Sequence, residues 1–178
     1  MDFISTHLLS LILFLPAVAG IIMLFFPKDE VKLHRWFALG ASLIPFVLSL
    51  MLWTHFQADK PGFQFEEVYP WYTSIGSSLH LGVDGLSITM VLLTTLLTPI
   101  AILASFSITD KVKAYMILFL FLEMGMLGVF LMLDLLLFFV FWEFGLVPMY
   151  FLINQWGSEK GEREVWKGRK IPARQYAS

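Results

Sequence analysis

Residues 135–153 read LLLFFVFWEFGLVPMYFLI, an apolar run interrupted by one charge, Glu143. The run is close to the ~20 residues a helix needs to cross a bilayer. In lipid the backbone has no water to bond to, so such a run must satisfy its N–H and C=O groups internally, as a helix. An ionisable side chain at that depth costs at least ~2.5 kcal/mol on insertion scales, so Glu143 reads as functional by default.

The same pattern repeats outward from this stretch. The preceding apolar run, 112–133, carries a second carboxylate, Glu123. Three further runs cover about 6–26, 34–56 and 83–107. The chain has 178 residues, is 58% hydrophobic and 15% charged, and has a mean hydropathy of +0.76. Soluble domains are nearer a quarter charged. These features predict an all-α, polytopic membrane helix bundle of five transmembrane helices, followed by a polar tail at 158–178. The net charge of −2 gives no reason to expect nucleic acid as a partner. With no cysteine, the chain has no disulfide and no cysteine-ligated iron–sulfur cluster. The opening MDFISTH lacks the basic start of a cleavable signal, so the first apolar run reads as a retained helix.

The basic residues predict the orientation. Lys28, Lys32 and Arg35 follow the first run and Lys111 and Lys113 follow the third. Lys160, Arg163, Lys167, Arg169, Lys170 and Arg174 follow the fifth, and of the 12 basic residues only Lys60 falls on the other side. The positive-inside rule then places the N-terminus outside and the tail in the cytoplasm. No Lys or Arg lies deep within the five predicted helices, Arg35 and Lys113 standing at the first turns of the second and fourth. The long connection 57–82 reads as an ordered surface loop whose Tyr69, Trp71 and Tyr72 suit a membrane interface. Pro61, Gly62, Pro70 and Gly76 are expected to break any regular element within it. His80 reads as a satisfied interface histidine. The tail has no core-forming pattern, and five helices look like the front part of a longer protein.

Asp134 marks the turn between the fourth and fifth runs. Glu123 lies 11 residues before it and Glu143 nine after it, which is ~16 Å and ~14 Å along a helix at 1.5 Å per residue. Both reach close to the middle of a ~30 Å hydrocarbon core. Burial raises a carboxylate's pKa and a nearby cation lowers it, so a buried acid that gains and loses a cation can take up and release a proton. Pro148 leaves the carbonyl of Phe144, beside Glu143, without its helical partner, and Pro99 does the same to Thr95 near Thr94 and Thr98. Freed carbonyls can admit water at Pro148, whereas Pro99 reads as a kink. Gly125 and Gly128 read as close-packing positions. The sequence carries no G-x-G-x-x-G, P-loop or metal-ligand spacing.

Two stretches resemble the antiporter-like subunits of respiratory complex I, most of all the chain M branch equivalent to mitochondrial chain 4. They are GVFLMLDLLLFFVFWEFGLVPMYFLINQWG at 128–157 and LGVDGLSITMVLLTTLLTPIAILAS at 81–105, in which Asp84-Gly85-Leu86-Ser87 matches a motif opening the third helix. The resemblance implies an N-terminal portion of a subunit that translocates protons while NADH reduces quinone elsewhere in the complex. It aligns Glu143 with the family's fifth-helix glutamate and Glu123 with the glutamate of the preceding helix. The family pairs the former with a lysine on a later helix, beyond this chain. NADH, FMN, iron–sulfur clusters and quinone would then be used by the complex, with no cofactor bound by this chain. Neighbouring antiporter-like subunits and the lipid bilayer would be its partners, and the inner (cytoplasmic) membrane its location. A subunit of a multi-subunit sodium/proton antiporter, a subunit of a membrane-bound hydrogenase, or a non-pumping assembly protein are the alternatives.

Overall fold

The structure is a computed structural model that describes residues 6–72, 76–157, 163–165 and 169–171. Among the described residues five α-helices are named in order: α1 Leu8–Leu24, α2 Val31–His55, α3 Gly85–Ala104, α4 Val112–Leu131 and α5 Leu135–Trp156. A 3₁₀ turn, Ser105–Ser107, extends α3. Four of the helices, α2 to α5, are long and apolar enough to cross a membrane. With 17 residues, α1 is shorter, ~26 Å at 1.5 Å per residue. The fold is mostly helical, as expected of a membrane bundle, and all five predicted runs are helices with ends displaced by a few residues. One displacement matters, because α2 starts early enough to take Lys32 into its first turn, ahead of Arg35.

Local chemistry explains where the helices start. Asp84 accepts hydrogen bonds from the amides of Leu86 (3.1 Å) and Ser87 (2.7 Å), and Ser87 Oγ accepts from the amide of Asp84 (2.9 Å). This reciprocal cap makes the Asp-Gly-Leu-Ser motif a helix-opening device. Asp134 caps α5 without a reciprocal bond, one oxygen accepting from the Leu137 amide and the other from the amide of Ser78.

At the centre, α4 packs against α1, α2, α3 and α5. Its glycines allow the closest approach in the bundle. A Cβ at Gly125 would stand 2.6 Å from Cα of Gly145, and one at Gly128 would run into the Phe141 ring. In lipid, such backbone proximity replaces the hydrophobic drive as the source of helix association.

The connection between α2 and α3 departs from expectation. It holds an antiparallel ribbon of β1, Gln64–Tyr72, and β2, Ser77–Val83, so the predicted breakers do not prevent regular structure and the chain is not purely α. In a two-stranded ribbon each strand has one unpaired edge, where a residue lacking an N–H is tolerated. Pro70 sits beside a register shift between Pro70 and Tyr72. Gly76 adopts a φ of +72° at the start of the return strand. The predicted polar tail also contains a short antiparallel pair, β3 Arg163–Val165 with β4 Arg169–Ile171. Lys160, Lys167, Arg174 and residues 1–5 lie outside the described residues.

Candidate functional site

The two acids sit at matching depth. Glu123 is eight residues before the end of α4 and Glu143 eight after the start of α5, each ~12 Å along its helix. They do not face each other. On α5, Leu137, Phe141 and Pro148 are buried, with Gly145 against α4 on the same stripe. Glu143 is two residues from both Phe141 and Gly145, ~200° around the helix, and is exposed on the far face. By the same geometry Glu123, two residues before Gly125, turns away from α5 into the rest of the bundle.

Glu123 is fully buried. One turn to either side on its stripe are Leu120 and Leu127, both fully buried as well. Among the described residues neither of its carboxylate oxygens has a hydrogen-bond partner. An ionised carboxylate in such a place costs several kcal/mol unless something pairs with it. Glu143 instead lies on a face whose neighbours Val140, Trp142, Val147 and Tyr150 are all exposed.

The proline positions divide. Pro148 lies on the buried stripe of α5, while Phe144, whose carbonyl it frees, is exposed. Pro99 and Thr95 are buried, and the Thr95 hydroxyl meets that of Ser49 at 2.8 Å, joining α3 to α2. His80 is satisfied as expected, with Nε2 2.8 Å from Glu66 and its carbonyl accepting from the Leu133 amide.

Sequence reasoning missed one acid. Glu67 of β1 is buried, and it accepts from the amides of Leu9 (2.8 Å) and Ser10, from the Ser10 hydroxyl, and from Tyr69 Oη (3.2 Å). It is a negative charge placed on the start of α1, where the helix dipole favours one. The signal available in the sequence was the aromatic and β-branched character of 63–72, which marks a strand.

Among the described residues no cluster of His, Asp or Glu could hold a metal ion. No family model matches the chain. Individual proteins do. NADH-ubiquinone oxidoreductase chain 4 of Arabidopsis thaliana is 44% identical over 153 residues, covering 85% of this chain and 31% of that protein. NADH-quinone oxidoreductase subunit M of Rhodobacter capsulatus is 41% identical over 158 residues, 86% of this chain and 30% of that protein. This chain is a homologue of chain 4, or subunit M, of the NADH oxidoreductases. It spans less than a third of the length of these curated relatives. Among solved structures, the chain 4/M homologue matches a chain of respiratory complex I from Thermus thermophilus with bound NADH. The TM-score is 0.68 at 26% identity, over 83% of this chain and 29% of that one. It also matches a chain of the archaeal membrane-bound sulfane sulfur reductase with a TM-score of 0.68 at 20% identity, a likeness of fold alone.

Proposed function

We propose that this chain is part of a proton-translocating membrane subunit of an NADH-quinone oxidoreductase, with Glu143 as the protonatable group and Glu123 as a supporting acid. The kinship to chain 4 and subunit M over 85% of the chain carries the assignment. The placement of Glu143 supports its role. It stands mid-helix on a face left open by α1 to α4, where a later segment or a neighbouring subunit can bring a cation to it. Glu123 is sealed within the bundle at the same depth. Electron transfer, and with it NADH, FMN, the iron–sulfur clusters and quinone, belongs to other parts of the complex. The chain resides in the inner membrane beside other antiporter-like subunits, with its N-terminus outside and its tail in the cytoplasm.

The test is Glu143→Gln in the parent-length subunit within the assembled complex. Proton pumping coupled to NADH oxidation should fall severely, while oxidation of NADH by artificial acceptors continues. Pumping at the parental level removes Glu143 from the mechanism. Orientation is tested by a reporter fused after Ser178, which should be active only on the cytoplasmic side.

A further inference from the structure

The end of the bundle opposite the β1–β2 ribbon gathers lysines around an open cavity. Lys113 of α4 donates to the carbonyls of Leu24 and Phe26, both at 2.8 Å, and Arg35 of α2 donates to the carbonyl of Ile108 at 2.6 Å. These bonds tie the α1–α2 and α3–α4 connections together. Between them lies a cavity of about 770 Å³. Among the described residues its charged lining consists of Lys28, Lys111 and Lys113 against one carboxylate, Asp29. Much of the remaining lining is apolar, including Leu24, Val31 and Ile117.

Two features make this lining receptive to an anion. Two of the three Lys113 donors are used by carbonyls, which leaves one. The only ion pair among the described residues, His80 with Glu66, belongs to the ribbon, so Lys28 and Lys111 face the cavity without a carboxylate in contact. The first residues of α4 also line the cavity, and no side chain caps that helix start, where Lys111 adopts a φ of +46°. The free amides of the first helical turn carry a partial positive charge.

We propose that this cavity seats the phosphate of an anionic membrane phospholipid, with the lipid's apolar part against Leu24, Val31 and Ile117. The site lies where the apolar helices end, at the level of lipid headgroups. Basic pockets between membrane helices take such headgroups, each lysine near the surface adding to the attraction. A free phosphate would meet the same cations but gain nothing from the apolar lining, and it would fill a small part of the volume. The assignment holds whichever side of the membrane this end faces.

Native mass spectrometry of the chain in detergent micelles, with dioleoylphosphatidylglycerol added, tests the site. The parent chain should retain one lipid, and Lys28→Gln/Lys111→Gln should weaken its binding about tenfold or more. Lys28→Arg/Lys111→Arg should restore binding, and Lys60→Gln, on the other side, should leave it unchanged. Lys113 is kept because it also fastens α1. Any of three results overturns the proposal: parental affinity in the double Gln variant, an equal loss in Lys60→Gln, or displacement of the lipid by millimolar inorganic phosphate. The last would assign the pocket to a free anion.

Discussion

Helices α4 and α5 lie against each other and each carries one glutamate at the same depth, yet they are built on opposite principles. The central α4 touches every other helix and contains no proline. The peripheral α5 rests chiefly on α4, with a minor contact to the ribbon, and its outer face is a continuous apolar surface around Glu143. Each of the other helices, α5 included, has an internal proline. The bundle thus encloses one acid completely and presents the other outward. A carboxylate sealed among leucines can exchange protons only through neighbours already in place. One on an open face can be met by a partner from elsewhere. The contrast gives the two acids different chemistry without any difference in residue type.

The strongest way to break this arrangement is at the contact that seats α5. Gly125→Val would drive a side chain into the Gly145 backbone, and overpacking of this kind costs ~1–3 kcal/mol or more. The thermal unfolding midpoint in micelles should fall clearly, whereas Gly40→Ala, with nothing within 4 Å, should leave it in place. If both variants unfold alike, the glycine contact is not what holds α5.

The acids themselves sharpen the comparison. Glu123→Leu replaces a buried carboxyl lacking partners with an apolar side chain, and should raise stability by ~1–3 kcal/mol. A fall in the unfolding midpoint would show that Glu123 has a polar partner after all. At the exposed position Glu143→Leu should change stability by no more than ~0.5 kcal/mol, in the range of ordinary surface substitutions. Unfolding at a much lower temperature would mean that Glu143 supports the fold of the bundle itself.

The smallest effect concerns how the two helices begin. The Leu137 amide, and then the Ser78 amide, hold the Asp134 carboxyl below the usual carboxylate range, while α4 starts without a side-chain cap. A carboxylate whose pKa is lowered by folding stabilises the native state above the unfolded value, ~3.9, and loses that contribution as pH falls through the native value. Acidification should therefore loosen the start of α5, with a shallower pH response in Asp134→Asn. Hydrogen exchange of the first α5 amides at neutral and acid pH measures it, and identical profiles in the two proteins would assign the response to another group.

Much of this was legible because it is local. The length of each apolar run fixes a helix, Asp134 marks the turn before α5, and counting along α4 and α5 gives the depth of both acids, while Asp84 was marked as a helix opener by the family resemblance. What needs a second segment was not legible. The exposure of Glu143 depends on α4 docking against the Phe141–Gly145 stripe. The ribbon arises from pairing of 64–72 with 77–83, which lets Pro70 occupy an edge that a scan for breakers counts as fatal. Adjacent in sequence, Glu66 and Glu67 are parted by the fold, which brings one to His80 and the other to the start of α1.

The clasp at Glu67 has a consequence for how the chain is made. The amide of Leu9 is bonded to a residue 58 positions later, and the carbonyl of Leu24 at the other end of α1 to one 89 positions later. Contacts so distant in sequence form late, because the intervening chain must first be ordered. Helix α1 is the shortest of the five described helices, and its two ends are fastened by chain that is synthesised after it. Its insertion is therefore a provisional event, completed only when the ribbon closes over one end and α4 arrives at the other.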